Sequence, residues 1–215
     1  MSSRLKSLII VTGIVILGLF ISQSLKAVDV VDWSDKLVTP VLGEVGPGMF
    51  ALASAIEAQS RTGDDIYLVI SSPGGSIEVG TIVVSAMEVA KSRGSRIHCM
   101  VPTIAASMAM IFLDHCTDRY AFPESFMLFH EGRTQAGGTA REMSDAAEQL
   151  RILTAQMEER LLKNLGCSKE FFTRHSQAET LWTGFEFNLA FPSYLKIIRD
   201  IKLPDAYPKN LYDMR

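Results

Sequence analysis

The sequence has no surplus of positive charge and no run of basic residues. Its 215 residues carry 21 Lys and Arg against 24 Asp and Glu, which gives a formal net charge of −3. A protein that binds nucleic acid uses Lys and Arg to neutralise phosphates. No basic stretch interleaved with aromatic residues supplies them here, so we expect no nucleic-acid partner.

Cysteine is also scarce. Cys99, Cys116 and Cys167 are too few for a disulfide framework and lack the paired spacing of a zinc site. They are compatible with small buried hydrophobic side chains. In an extracytoplasmic domain a single bridge between Cys99 and Cys116 becomes possible, although the sequence does not show whether the two come close enough.

Internal repeats and low-complexity tracts are missing from the sequence as well. With 47% hydrophobic and 21% charged residues, the chain is long enough to close one core of ordinary domain size. We predict one domain at residues 31–201. It follows a separate segment at residues 1–30 and precedes an extended tail at residues 202–215.

One long stretch without charge lies near the N-terminus. Arg4 and Lys6 precede residues 7–25, which contain no charged side chain. Because this stretch has no polar face, we expect a cleaved signal peptide or, with a slight preference, a single-pass transmembrane anchor instead of a core helix. The basic residues before it direct the following domain away from the cytoplasm. We therefore expect a membrane-anchored or periplasmic protein.

The remainder of the chain alternates between strand and helix patterns. Short apolar runs predict strands at residues 36–45, 66–71, 96–101, 119–122 and 126–130. Apolar periodicity and capping residues predict helices at residues 49–59, 77–92, 105–113, 139–164, 168–174 and 183–189. Strands and helices interleaved in this way favour an α/β fold.

Three short segments contain the candidate chemistry. Residues 71–76 hold a Pro-Gly-Gly turn between a strand and a helix, where free N–H groups can face a ligand. Ser107 stands among small residues at a predicted helix start, whose positive end favours an alkoxide-like oxygen. His130 ends an apolar strand and is a suitable proton acceptor at neutral pH. Taken singly, each has a plain alternative: a tight turn, a helix N-cap or a structural histidine.

Taken in order, these segments resemble the Clp protease proteolytic subunit. The match extends over about residues 37–186 and rests on Gly43-Glu44-Val45, Asp65 to Ser76, Ala105 to Met108, and Phe122 to His130. The resemblance implies a ClpP/crotonase-like fold, an α/β spiral of β-β-α units. It also implies a homo-oligomer that hydrolyses peptides or unfolded proteins. The helix at residues 139–164 would be the family's handle helix, which mediates contact between rings.

The resemblance also assigns catalytic roles. Ser107 takes the place of the nucleophile and His130 that of the general base, while Gly75 and Met108 supply the amides of the oxyanion hole. Glu179 stands where the family has its catalytic aspartate. Glutamate is one methylene longer but can still orient an imidazole. The alternative for Glu179 is a helix-capping carboxylate three residues after Ser176.

The implied reaction is acyl transfer from a peptide to the serine and then to water, which needs no metal and no organic cofactor. The Gly-rich turn can bind an extended substrate by adding it as a strand. We accordingly predict substrate contacts at Gly74, Ser76 and Ile77.

Two features depart from the family pattern. Residues 190–193 replace the family's Gly-Leu-Val-Asp sequence, which puts the terminal strand and ring assembly in question. The predicted export places the domain where ATP is scarce, which argues against an ATPase partner. Three alternatives stay open: a signal-peptide-peptidase-like membrane enzyme, for which no lysine stands at a recognisable base position; a catalytically silent scaffold or binding protein; and acyl-CoA chemistry on the crotonase fold.

Overall fold

A computed structural model of the chain describes residues 28–133 and 137–207. The strands in this part are β1 (Val28–Asp32), β2 (Val38–Leu42), β3 (Ile66–Ser71), β4 (Ile97–Val101), β5 (Ile104–Ala106), β6 (Asp118–Ala121), β7 (Phe126–Leu128), β8 (Trp182–Thr183) and β9 (Lys196–Lys202). The helices are α1 (Met49–Ser60), α2 (Ile77–Ser92), α3 (Met108–His115), α4 (Ala140–Leu165), α5 (Lys169–Gln177) and α6 (Gly184–Ala190).

Six of these strands form one parallel sheet in the order β1-β9-β6-β4-β3-β2. A smaller sheet has the order β5-β7-β8, in which β5 and β7 are parallel and β8 is antiparallel to β7. Parallel strands require long crossover connections, and helices provide several of them here. This arrangement confirms the predicted α/β class and fits a ClpP-like fold.

Strand β3 shows how the large sheet is covered on both faces. Ile66, Leu68 and Ile70 are at most 1% exposed and pack in the main core with helices α1, α2 and α3. Val69 is also 1% exposed but packs on the opposite face, in a second cluster with Trp33. A short, nearly continuous apolar run is typical of a parallel strand buried on both sides.

The ends of the domain differ from the sequence prediction. Although the replaced family motif put the terminal strand in question, residues 196–202 form β9, which pairs with β1 and β6. Strand β1 begins at Val28 and so includes residues that were assigned to the N-terminal segment. The predictions for residues 1–27 and 208–215 lie outside the described residues. No helix within residues 28–133 and 137–207 is long and apolar enough to cross a bilayer.

The long helix α4 begins and ends where its sequence predicts. Thr139 and Glu142 form a capping box at its start, and Gly166 is its left-handed C-cap. Thr183 and Glu186 form a second capping box at the start of α6. Both boxes lie where capping residues in the sequence predict a helix to begin, at residues 139 and 183.

A buried carboxylate connects α4 to α3. Asp114 is 1% exposed and accepts hydrogen bonds from Arg160 Nε at 3.2 Å, Asn164 Nδ2 at 3.0 Å and the Tyr194 hydroxyl at 3.1 Å. Removing one partner of such a buried charge is costly because the carboxylate is then left uncompensated. These bonds therefore fix the position of α4 relative to α3.

Cys99 in β4 and Cys116 directly after α3 form a disulfide, with their Cα atoms 6.0 Å apart. Both residues are buried, and Cys167 is a free cysteine. The bridge resolves the question that the sequence left open. The segment that it closes, residues 99–116, contains Ser107.

Candidate active site

Ser107 occupies a sharp turn between a strand and a helix. The sequence predicted a helix from residue 105, but residues 104–106 form β5, and the helix begins at Met108. The cause is strand pairing: β5 lies beside β7 and bridges to Ser72. The Ser107 N–H continues this pairing by donating to the Leu128 carbonyl at 2.9 Å.

The backbone of Ser107 is strained. Its φ of 55° and ψ of −122° lie in a region that residues with a Cβ rarely occupy. Such a conformation costs about 1–3 kcal/mol and persists only where neighbouring structure enforces it, often at active sites. Among the described non-glycine residues, only Ser107 and Glu179 have a positive φ.

The hydroxyl of Ser107 is not used to cap its helix. Although Ser107 is the N-cap residue of α3, its side chain accepts no capping hydrogen bond. By contrast, the side chains of Ser76 and Ser168 accept from the backbone N–H groups of Val79 and Phe171, each at 3.2 Å. The structural alternative for Ser107, a capping serine, is therefore without support in this geometry.

His130 follows β7, the strand that pairs with β5. Because Ala106 is opposite Leu128 in the register, Ser107 and His130 both lie just beyond the carboxyl ends of neighbouring parallel strands. The predicted strand reached His130, whereas β7 ends at Leu128. His130 Nδ1 lies 2.6 Å from the Glu131 carbonyl oxygen. Since a carbonyl oxygen only accepts, Nδ1 is the protonated nitrogen, and Nε2 of the neutral ring keeps its lone pair.

Ser107 and His130 open into the same cleft. Its walls come from α2, α3, α4, α5 and the segment after β7, and most of its side chains are apolar. The lining residues are Ile77, Ser107, Met108, Ile111, Phe129, His130, Gly132, Thr154, Met157, Glu158, Leu161 and Phe172. A hydroxyl, an imidazole and an apolar wall are thus present in one concave site.

The Gly-rich turn lies against the Ser107 turn and pairs with Val45. Val45 N–H donates to the Gly74 carbonyl, and Ser76 N–H donates to the Val45 carbonyl, both at 2.8 Å. In such a parallel bridge the N–H of the intervening Gly75 points away from Val45. Within residues 28–133 and 137–207, no protein acceptor binds the N–H of Gly75 or of Met108. Both amides are available to a ligand.

Of the three predicted substrate contacts, one lines the cleft and the other two make structural contacts. The Ser76 side chain caps α2, while its backbone pairs with Val45. Ile77 lines the cleft directly. Gly74 is buried and lies against the Ser107 turn.

Glu179 lies on the surface beside the segment that follows His130. Its side chain forms an ion pair with Arg133, and no hydrogen bond joins it to His130 in the described part of the chain. The alternative of a capping carboxylate after Ser176 is wrong, because Ser176 lies inside α5, whose N-cap is Ser168. The left-handed backbone of Glu179, with a φ of 49°, ends the turn that follows α5.

The comparison with known proteins places most of this region in one family. The family model described as Clp protease matches residues 44–186. The ATP-dependent Clp protease proteolytic subunit of Streptococcus mutans is 34% identical over 147 residues, which is 66% of this chain and 72% of that protein. The protein of the same name from Streptococcus pyogenes serotype M1 is 30% identical over 160 residues, or 72% and 79% of the two chains. The chain belongs to the Clp protease family. This confirms the family resemblance predicted from the sequence and supports a ClpP-like peptidase.

Sequence reasoning missed one wall of the site in this Clp protease family member. Thr154, Met157, Glu158 and Leu161 all line the cleft from α4, a helix to which the resemblance had assigned only contacts between rings. Their spacing of three and four residues places them on one helix face, which was visible in the sequence. What that face covers could not be predicted from the sequence.

The described part of the chain offers no candidate metal site. Residues 28–133 and 137–207 contain no group of three or more His, Cys, Asp or Glu side chains arranged to hold a metal ion. Outside this range nothing is described.

Substituting Gly74 tests the contact between the two turns. A Cβ on Gly74 would lie 2.5 Å from Ser107 Cβ and 2.9 Å from Met108 N, and the φ of 91° disfavours any side chain. Gly74→Ala is therefore expected to lower the free energy of unfolding by at least about 2 kcal/mol. The matched control is Gly63→Ala, since Gly63 has a φ of 75° but open space around its Cα. Equal losses of stability in chemical denaturation would show that the close approach does not matter.

Proposed function

We propose that this protein is a serine endopeptidase in which Ser107 is the nucleophile and His130 the general base. One observation carries the proposal: a strained serine, whose hydroxyl its own helix does not use, shares a cleft with a histidine that follows the neighbouring strand. Because His130 Nδ1–H donates a hydrogen bond to the Glu131 carbonyl, Nε2 can accept the proton of the serine hydroxyl.

The proposed reaction has two stages. Ser107 Oγ forms a bond to the peptide carbonyl carbon while its proton passes to His130 Nε2. The carbon–nitrogen bond then breaks, and the same proton leaves with the amine. In the second stage water gives a proton to His130 while its oxygen forms a bond to the acyl carbon. The ester bond to Ser107 Oγ then breaks, Oγ takes the proton back from His130, and the carboxylic acid is released.

The amides of Gly75 and Met108 form the proposed oxyanion hole. Met108 is the first residue of α3, so its N–H has no acceptor within the helix and benefits from the positive helix end. Gly75 N–H points away from its bridge partner Val45. Two fixed amides of this kind stabilise the charge that develops on a carbonyl oxygen without reorganisation. The free edge of residues 74–76 is also suited to an extended peptide added as a strand.

Glu179 is the proposed third member of the triad. Its resting partner Arg133 lies three residues after His130, so the carboxylate is held near the segment that positions the imidazole. In the structure the Glu131 carbonyl, and not Glu179, accepts the hydrogen bond from His130 Nδ1. Glu179 therefore acts only if the side chains rearrange during substrate binding or assembly into a homo-oligomer. Sedimentation as a monomer at all working concentrations would contradict that assembly.

We further propose that the domain lies outside the cytoplasm, tethered through residues 7–25 or released after their removal, and works without ATP. The uncharged N-terminal stretch and the disulfide support this location, because structural disulfides persist mainly in oxidising compartments. Thiol trapping in intact cells tests the proposal. Cys99 and Cys116 should be found oxidised, and a reduced pair would place the domain in the cytoplasm.

A fluorophosphonate probe tests the proposed chemistry directly, since it phosphonylates only an activated serine. We expect labelling of the wild type, none of Ser107→Ala and a greatly reduced rate in His130→Ala. Glu179→Gln should slow labelling without abolishing it. An unchanged rate would remove Glu179 from the triad and leave the Glu131 carbonyl as the partner of His130. Folded wild-type protein that is not labelled would favour the scaffold alternative.

A further inference from the structure

An unpaired carboxylate lies among the mainly apolar side chains that line the cleft. Glu158 lines it together with Met157 and Leu161, which flank it on the same face of α4. The Glu158 side chain is half-buried. No hydrogen bond or ion pair of Glu158 exists among residues 28–133 and 137–207. Partial burial removes some of its solvation, and a cationic partner would compensate for that loss.

The surroundings of Glu158 leave the cleft negative. Burial raises the pKa of the Glu158 carboxyl, the nearby Glu131 carboxylate raises it further, and Lys169 offsets part of that rise. Arg151 and Arg160, the arginines of α4 on either side, are already paired with Glu148 and with Asp114. These two arginines are thus held elsewhere.

Glu158 lines the same cleft as the residues proposed to act on the peptide bond. Ser107 and Met108, the proposed nucleophile and oxyanion donor, form one of its walls, and α4 forms another. A substrate whose carbonyl meets Ser107 therefore places the side chain of the same residue into this space. Met108, Phe129 and Met157 would contact its stem, and Glu158 its polar end.

We propose that Glu158 makes this cleft a pocket for a side chain with an apolar stem and a cationic end, that of Arg or Lys, on the residue whose peptide bond is cleaved. This inference rests on the proposed function. A cationic end supplies the partner that Glu158 lacks, while its methylene groups cover the apolar walls. A purely apolar side chain would leave the carboxylate desolvated and unpaired. An acidic one would be repelled by both Glu158 and Glu131.

Selective serine probes test this assignment. The second-order labelling rate is measured with two peptidyl aryl phosphonates that differ only in an arginine-like or a leucine-like side chain next to phosphorus. We expect the wild type to react faster with the arginine-like probe. Glu158→Gln should lower the ratio of the two rates by about ten- to a hundredfold, the value of a hydrogen bond to a charged group. The control Glu159→Gln, at an exposed position outside the cleft, should leave the ratio unchanged.

The outcomes separate the two proposals. A wild type that prefers the leucine-like probe, or a ratio that Glu158→Gln does not alter, overturns the pocket assignment. So does labelling by a simple fluorophosphonate when neither peptidyl probe reacts. If the simple fluorophosphonate also fails to label Ser107, the proposed function itself is wrong.

The stability of Glu158→Gln gives an independent readout. Because folding raises the pKa of Glu158, its contribution to stability is fully present below the unfolded pKa and is lost as the pH rises through the folded value. The groups that face it are Glu131, Lys169 and, across the cleft, His130. Glu158→Gln should therefore melt at a higher temperature than wild type at neutral pH, with a smaller gain near pH 4. A variant that loses stability at neutral pH would show that Glu158 has a structural partner.

Discussion

Ser107→Ala is expected to lower kcat/KM for peptide hydrolysis by about a thousandfold or more, because the acyl-enzyme can no longer form. Its free energy of unfolding should change by less than about 0.5 kcal/mol, since α3 takes no capping hydrogen bond from the hydroxyl. Activity on an unfolded protein substrate and chemical denaturation measure the two quantities. A serine that only capped the helix would show the reverse pattern.

Ser168→Ala is the matched control. Ser168 is the N-cap of α5, and its hydroxyl accepts from Phe171 N–H at 3.2 Å. Its removal should cost about 1 kcal/mol of stability and leave kcat/KM within about twofold of wild type. The two serines therefore separate capping from catalysis within one chain. If both variants lost stability alike while both retained activity, Ser107 would be a helix cap and the peptidase proposal would fail.

A glycine at position 107 adds a third comparison. The positive φ of Ser107 is strained for a residue with a Cβ but ordinary for glycine. Ser107→Gly should therefore be inactive yet more stable than wild type, by about 1 kcal/mol. A strained serine that lowers stability is the pattern expected where function, and not folding, determines the residue.

Parts of the fold that depend on local chemistry could be predicted from the sequence. The capping box of Thr139 and Glu142 and the apolar run of β3 are local patterns with local causes. Strand β9 could not be predicted in the same way. Its adjacent Ile197 and Ile198 belong to the cores on opposite faces of the sheet. Four of its seven residues are charged, so β9 lacks the continuous apolar run that identifies β3, which is also covered on both faces.

The same distinction applies to the active site: its local motifs could be predicted from the sequence, but its long-range contacts could not. Ser107 and His130 were proposed from short motifs, and the pairing of β5 with β7 explains why the two share a cleft. The α4 wall depends on Asp114, whose partners Arg160, Asn164 and Tyr194 lie 46, 50 and 80 positions away in the sequence. No local pattern reveals such a link, so Glu158 was not recognised as part of the site.

The disulfide is expected to supply a large part of the domain's stability. It joins residues 17 positions apart, and closing a loop of this size is worth about 3 kcal/mol in the chain-entropy treatment. The double variant Cys99→Ala, Cys116→Ala should lose about that much free energy of unfolding. Cys167→Ala is the control, since Cys167 forms no disulfide and is only half-buried.

A reductant separates the loss of the covalent link from the loss of two buried side chains. Wild type under reducing conditions should melt close to the double variant, whereas the variant itself should not respond to the reductant. Because the closed segment contains Ser107, labelling by the fluorophosphonate should fall as the wild type is reduced near its lowered melting temperature. A melting temperature that reduction does not change would mean that packing of β4 against α3 suffices, and it would withdraw one of the two supports for an extracytoplasmic location.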